Sequence, residues 1–266
     1  MAGSRVWPYR VALVTGASGG IGECFARRFA GLGRRVVLVA RRERRLEELA
    51  AELRKAHGAE VEVLAADLTD PAGLASVERR LADPARPVDL LVNNAGGGAR
   101  PPLPFAEQDV EHELGKIALN VTAPVRLARA VLPGMIERGR GGVLNVSSVM
   151  GFWPQPRGVT YGAAKAFVTA FSESLHCEAA PHGVHVTAVC PGFTRRGPGG
   201  ARGGPRRFTL PDFAWLERDD VAREALAAVA SGVPVYVPGP PYRAAILAFR
   251  LLPRAAARGT FRRLWS

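Results

Sequence analysis

The chain has 266 residues, 47% of them hydrophobic, and a formal net charge of +12. That length allows one large α/β domain or two small ones, and the apolar fraction is ordinary for a protein with a sizeable core. No run of 18 apolar residues occurs and residues 1–10 hold no apolar stretch, so neither a spanning helix nor a secretory leader is expected, and a cytoplasmic location is.

Cys24, Cys177 and Cys190 are widely spaced, with no CxxC. They read as buried free thiols in a reducing compartment, forming neither a disulfide framework nor a metal site. The positive charge has two readings: an anionic macromolecular partner, or an arginine-rich chain that attracts an anionic cofactor. Arginines are spread along the chain with little aromatic interleaving. This favours the second reading, and no nucleic-acid partner is expected.

Strand-like and helix-like segments alternate. Val11–Val14 is a short apolar run that ends in Thr15-Gly16-Ala17-Ser18-Gly19-Gly20-Ile21-Gly22, and an amphipathic stretch then reaches Leu32. Val36–Ala40 reads as a second strand, and Glu43–Lys55 as a charged helix with Leu46, Leu49 and Leu53 on one side. A third strand, Val61–Ala65, leads to Asp67-Leu68, and Pro71–Leu81 is helical, with its proline suited to a first turn. Val88–Val92 runs into Asn93-Asn94-Ala95-Gly96, and residues 107–138 carry helical periodicity that is disturbed near Pro124. Val143–Val146, a helix over residues 158–180 and the strand Val184–Val189 follow. Nearly continuous apolar strands in a βαβ rhythm argue for a parallel sheet covered by helices on both faces. No internal repeat or linker interrupts the chain before residue 193.

Gly16, Gly20 and Gly22 stand where the first strand meets the first helix. Glycines there let backbone approach a phosphate, and a helix N-terminus favours the anion. The spacing Gly-x-x-x-Gly-x-Gly differs from the G-x-G-x-x-G dinucleotide fingerprint, so a turn that serves only helix–sheet packing is the competing reading. At the tip of the second strand, Ala40-Arg41-Arg42 offers no carboxylate for a ribose hydroxyl. Arginine there suits the 2′-phosphate of NADP, unless Arg41 and Arg42 only begin a basic surface helix.

Tyr161 and Lys165 are four residues apart in an alanine-rich segment, which puts both on one helical face. An ammonium beside a phenol favours the phenolate and so lowers the phenol pKa towards neutrality. Of 36 basic residues only Lys55, Lys116 and Lys165 are lysines, and lysine is the cation suited to tuning a neighbour. The bare spacing also fits a solvated helix face. Ser148, at the end of a buried strand, has a hydroxyl that can hydrogen-bond an oxygen where charge develops.

Thr15-Gly16 with Gly20-Ile21-Gly22, Asn93-Asn94-Ala95-Gly96, Asn120, Ser148, Tyr161-x-x-x-Lys165 and Pro191-Gly192 together resemble the short-chain dehydrogenase/reductases of the classical subfamily. The similarity is close over residues 8–194 and loose beyond. It implies one Rossmann-type, doubly wound domain over residues 1–266, with a seven-stranded parallel sheet and helices on both faces. It also implies hydride transfer between NADP(H) and a carbonyl or alcohol carbon. Tyr161 would be the general acid, Lys165 would lower its pKa and hold the nicotinamide ribose, and Ser148 would orient the carbonyl. Asn120 would hold a water in a proton relay. Gly16, Ser18, Gly20, Ile21, Gly22, Arg41, Asp67, Leu68, Asn94, Pro191, Gly192 and Thr194 would complete the cofactor site, Asp67 at the adenine amine and Asn94 on the adenosine side. No metal is expected. The same fold also hosts epimerases, dehydratases, cyclases and non-catalytic NADP-binding regulators, which stay as alternatives.

Arg196 occupies the place where the family usually has a threonine that anchors the nicotinamide carboxamide. Residues 193–212, rich in Gly, Pro and Arg, stand where relatives carry a substrate lid, and are expected to be mobile. They either present arginine to an acidic substrate or form a plain surface loop. Phe152 and Trp153 either line the substrate pocket or pack against the lid. The basic tail, residues 242–266, either touches an anionic membrane surface or packs on its own or a neighbouring subunit. Packing is favoured, because the family commonly forms homodimers or homotetramers. The five histidines have no ligand partners at metal spacing, and His57 and His182 fit helix-end caps.

Overall fold

The computed structural model describes residues 7–97, 103–195, 211–251 and Gly259. Seven strands follow in chain order: β1 (Val11–Thr15), β2 (Arg35–Ala40), β3 (Val61–Ala65), β4 (Leu90–Asn93), β5 (Gly141–Val146), β6 (Val184–Val189) and β7 (Val235–Tyr236). Between and after them come α1 (Gly20–Gly31), α2 (Glu43–His57), α3 (Pro71–Ala82), α4 (Val110–Ile117), α5 (Ala123–Glu137), α6 (Val159–Ala179), α7 (Arg218–Ala230) and α8 (Pro240–Leu251).

All seven strands pair in parallel, in the order β3-β2-β1-β4-β5-β6-β7. After β3 the chain crosses to the far side of β1, so the loops after β1 and β4 diverge to opposite faces and leave a crevice at the carboxyl ends of the strands. Alternate strand residues feed the two faces. Val14, Leu38 and Leu144 pack with Phe25 and Phe29 of α1, Leu46, Leu49 and Leu53 of α2, and Val229 of α7. Leu13, Val37 and Leu91 pack on the other face with Leu74, Val77 and Leu81 of α3, and with Leu127, Val131 and Met135 of α5. The leucines expected along one side of the second helix are those α2 buries.

Two boundaries differ from the sequence expectation. β4 starts at Leu90 rather than Val88, because the Asp89 carboxylate accepts the N–H groups of Arg10 (2.9 Å) and Val11 (3.2 Å) just before strand pairing begins. The expected helix over 107–138 is two helices, α4 and α5, joined by one wide turn at Ala118–Thr122. Pro124 falls in the first turn of α5, directly after the wide turn that accommodates its missing N–H. No helix among the described residues is long and apolar enough to cross a membrane. Arg196, the rest of the expected lid up to residue 210, and the tail beyond Leu251 (Gly259 apart) lie outside the described residues.

Candidate active site

The loop after β1 is fastened to the loop after β4. Thr15 Oγ1 donates to the Val92 carbonyl (3.2 Å) and accepts the N–H groups of Asn94 (3.0 Å) and Ala95 (2.9 Å). The Asn94 amide donates back to the carbonyls of Thr15 (2.9 Å) and Gly16 (3.4 Å). A Cβ on Gly16 would lie 2.8 Å from Asn94 Nδ2, and one on Gly22 would overlap both that nitrogen and the Gly16 carbonyl oxygen. Gly16 also has φ +66°, a left-handed conformation that L side chains avoid. The two glycines therefore let the first turn of α1 settle on Asn94. Asn94 lines the cleft, and its donor hydrogens are committed to the glycine loop.

Along that cleft, of about 420 Å³, lie Gly16, Gly20, Ile21, Asn94, Ser148, Tyr161, Lys165, Pro191, Gly192 and Thr194. Residues predicted from five separate stretches of the chain thus share one wall-to-wall space. Ser148 ends the loop after β5; its Oγ accepts the Met150 N–H (3.2 Å) and reaches the Pro191 carbonyl (3.4 Å). α6 presents Tyr161 and Lys165 on the same side, with Lys165 Nζ 5.6 Å from the centre of the Tyr161 ring. Nζ donates to the Val146 carbonyl at 2.9 Å. Lys165 is only 5% exposed, and burial pulls its pKa down to about 8, with Cys190 opposing weakly. Burial raises the Tyr161 phenol above its ordinary value, and the Ser148 side chain is what pulls against it. This differs from the expectation that Lys165 brings the phenol towards neutrality: the desolvation of a phenolate here outweighs the pull of the Ser148 side chain.

Asn120 sits in the wide turn between α4 and α5, 1% exposed. Its Nδ2 donates to the Lys116 carbonyl (3.0 Å), whereas its Oδ1 is buried without a partner. A Cβ on Gly96 would be 2.9 Å from that oxygen and 3.4 Å from Lys165 Nζ, so the glycine keeps open the gap between them. Single wide turns of this kind recur at functional sites. Asn120 and Asn145, each the first residue of an Asn-x-Ser/Thr pattern, are both buried in the fold.

Beside β2 the cleft continues past Ser18, Arg41, Arg42, Asp67 and Leu68. Arg41 is 75% exposed in its side chain and lies 3.7 Å from Asp67. The Asp67 carboxyl stays below its usual range although burial opposes this, because Thr69 donates both its N–H (2.9 Å) and its hydroxyl (2.7 Å) and Arg41 adds charge. Arg42 was not assigned a place from sequence, yet it grips Ser18, with Nη2 2.7 Å from the carbonyl and 3.0 Å from the hydroxyl. Its adjacency to Arg41 was the available signal.

The far wall was not legible. Phe193–Arg195 runs beside Leu216, with the Leu216 N–H donating to the Phe193 carbonyl (2.9 Å) and the Arg195 N–H to the Leu216 carbonyl (3.0 Å). This brings Arg218, from more than twenty residues downstream of Thr194, onto the cleft. Tyr242 of α8 packs on Gly192, accepts the Phe193 N–H (3.0 Å) and donates to the Ala214 carbonyl (2.6 Å). Trp153 meets Phe249 edge-on at 5.9 Å and Arg250 lies 5.6 Å over Phe152, so this aromatic pair packs on α8. The described start of the tail accordingly packs on its own chain through Tyr242 and Ile246. Cys24, Cys177 and Cys190 are free, but Cys177 is exposed rather than buried. No metal-ligating cluster occurs among the described residues.

A family model described as short chain dehydrogenase matches residues 10–199. Sulfoacetaldehyde reductase 2 of Chromohalobacter salexigens is 42% identical over 184 residues, 69% of this chain and 72% of that protein. An NADP-dependent 3-hydroxy acid dehydrogenase of Salmonella typhi is 42% identical over 188 residues, again 69% of this chain and 72% of the relative. A solved short-chain dehydrogenase from Sphingobium yanoikuyae in complex with NADPH superposes with a TM-score of 0.79 at 40% identity, covering 94% of each chain. With the family model spanning most of the chain and the sheet order and cleft in place, this protein belongs to the short chain dehydrogenase family.

Proposed function

We propose that this chain is an NADPH-dependent oxidoreductase that reduces a ketone or aldehyde carbonyl to an alcohol, or catalyses the reverse. The observation that carries it is the single cleft in which Ser148, Tyr161 and Lys165 stand opposite the glycine loop. The residues present fit the dinucleotide. Glycines hold the loop close to its neighbours, and Asn120 Oδ1 is a buried acceptor that wants a donor. Two arginines crowd the β2 end: Arg42 bonds Ser18, and among the described residues the one acidic contact of the pair is Arg41 to Asp67 at 3.7 Å. Those arginines and Ser18 suit a 2′-phosphate, whereas a carboxylate at the tip of β2 would repel it. The relatives named for NADP and the solved neighbour with NADPH support the same choice.

Gly16, Gly20, Ile21 and Asn94 would hold the middle of the cofactor. Ser18, Arg41, Arg42, Asp67 and Leu68 would hold its adenosine end, and Lys165, Pro191, Gly192 and Thr194 its nicotinamide end. Gly22 acts beneath the surface, by letting α1 close on Asn94. When bound, the reduced nicotinamide supplies a hydride to the carbonyl carbon. Ser148 Oγ, which hydrogen-bonds the Tyr161 phenol and reaches the Pro191 carbonyl only at 3.4 Å, would turn its hydrogen to the carbonyl oxygen as charge develops there. The raised pKa of Tyr161 keeps its phenol protonated at neutral pH, the form that gives a proton to that oxygen. Lys165 supplies positive charge beside it, and Asn120 Oδ1 can accept from a water that links Lys165 to solvent.

The free thiols suit a reducing, cytoplasmic setting. Exposed Val110, Leu114 and Ile117 on α4 are consistent with assembly into a dimer or tetramer. The deciding experiment follows NADPH oxidation over a panel of ketones and aldehydes, with Tyr161→Phe alongside. The variant should bind NADPH as the parent does and lose about 10²–10⁴-fold in turnover. Turnover at the parent rate would remove Tyr161 from the mechanism, and a parent that binds no NADPH would remove the reading altogether.

A further inference from the structure

Arg218 opens α7 and lines the cleft together with Gly19, Gly20 and Ile21 on one side and Thr194 on the other. It stands between acidic neighbours that would ordinarily neutralise it. Each of them is engaged elsewhere: Glu217 with Arg195 (2.8 Å), Asp219 with Arg28, and Asp220 with Arg223 (2.9 Å). Among the described residues the Arg218 guanidinium makes no ion pair. Its position is nevertheless fixed from two directions. The pairing of Leu216 with Phe193 and Arg195 ties the segment before it to the cleft wall. Arg28 of α1 ties the residue after it, donating to the Asp219 carbonyl at 2.9 Å as well as to its carboxylate. Burial, Asp219 and Glu23 raise the Cys24 thiol, while Arg218 pulls it the other way. The guanidinium charge therefore reaches as far as Cys24, one turn into α1.

A cation held without a partner at the mouth of a helix that follows a glycine loop is suited to an anion in that mouth. We infer that Arg218 is a cofactor-binding residue that closes on the diphosphate of the dinucleotide, opposite the glycine loop. The inference rests on the reading of the cleft as a dinucleotide site, and extends it to a residue from the opposite end of the chain. Its chemistry differs from that of Arg41 and Arg42. A 2′-phosphate distinguishes NADPH from NADH, whereas the diphosphate is common to both.

The test is a set of equilibrium titrations of Arg218→Ala and Arg218→Lys with NADPH, NADH, ADP-ribose and AMP, with thermal melts of the unliganded proteins as a fold control. Arg218→Ala should weaken NADPH, NADH and ADP-ribose by the same factor, about tenfold. AMP, which has no diphosphate, should bind as before, and Arg218→Lys should recover most of the loss. Because the side chain makes no ion pair among the described residues, both variants should melt close to the parent. Three outcomes would overturn the inference: unchanged affinity for all four ligands, a loss confined to NADPH, or intact cofactor affinity with a raised KM for carboxylated or sulfonated carbonyl substrates. The last would assign Arg218 to the substrate. A parent that binds neither NADPH nor NADH refutes the dinucleotide reading itself, which separates that failure from failure of the Arg218 assignment.

Discussion

Lys165 should destabilise the unliganded protein, and replacing it should show this. The side chain is 5% exposed and its one direct hydrogen bond is to the Val146 carbonyl. Moving an ammonium from its ordinary range down to about 8 corresponds to about 3 kcal/mol of unfavourable burial at pH 7. Lys165→Met removes that penalty and gives up the bond to Val146, worth about 1 kcal/mol. The variant should therefore be about 2 kcal/mol more stable at pH 7, or about 4–8 °C higher in Tm for a chain of this size, while losing turnover. The pH dependence gives the sharper check. The folded pKa lies below the unfolded one, so the unfolded chain binds more protons between pH 8 and the ordinary lysine value. Stability of the parent from this group then rises through that window. The advantage of Lys165→Met should shrink as pH climbs from 8 and vanish near pH 10. Buried Cys190, raised to about 11, acts in the opposite direction over a similar window. It is present in both proteins, and the comparison largely removes it. Urea denaturation of parent and variant at pH 7, 8, 9 and 10, without dinucleotide, gives both curves. A variant less stable than the parent at pH 7, or an advantage independent of pH, would refute the argument.

Arg41→Asp should raise the Kd for NADPH by on the order of tenfold or more and leave NADH within about twofold, since it puts a carboxylate where a 2′-phosphate would sit; fluorescence titration reads both. Lys116 and Glu113 form an ion pair at 2.5 Å with both side chains buried, and the Lys116 carbonyl holds Asn120. Lys116→Met should destabilise by about 1–3 kcal/mol, because it leaves the Glu113 carboxylate with Thr160 but without its cation, and Glu113→Gln added to it should restore much of that in urea melts.

The sequence alone carried the sheet and one wall of the site. Apolar runs of four to six residues between amphipathic segments argue for buried strands between helix layers, and they reappear as β1 to β6. Gly16, Ser148, Tyr161 and Lys165 were legible because local geometry sets their jobs: a turn, a strand end, one helix face. The short β7, Val235–Tyr236, has no periodicity to read and exists because β6 offers it an edge. The π-type turn that aims Asn120 is likewise a compromise between α5, which packs on the sheet, and α4, which packs on α6. Whether Tyr161 is above or below its ordinary pKa was not in the Tyr-x-x-x-Lys spacing, because how much water each side chain loses depends on the elements packed around it. Arg42 and Tyr242 belong to the site through contacts with residues 24 and 50 positions away, and Arg218 shares the cleft with Thr194, 24 positions before it. Local sequence fixes which residues face the same way along one element. Which cations lose their partners, and which side chains lose their water, is decided only when distant elements meet.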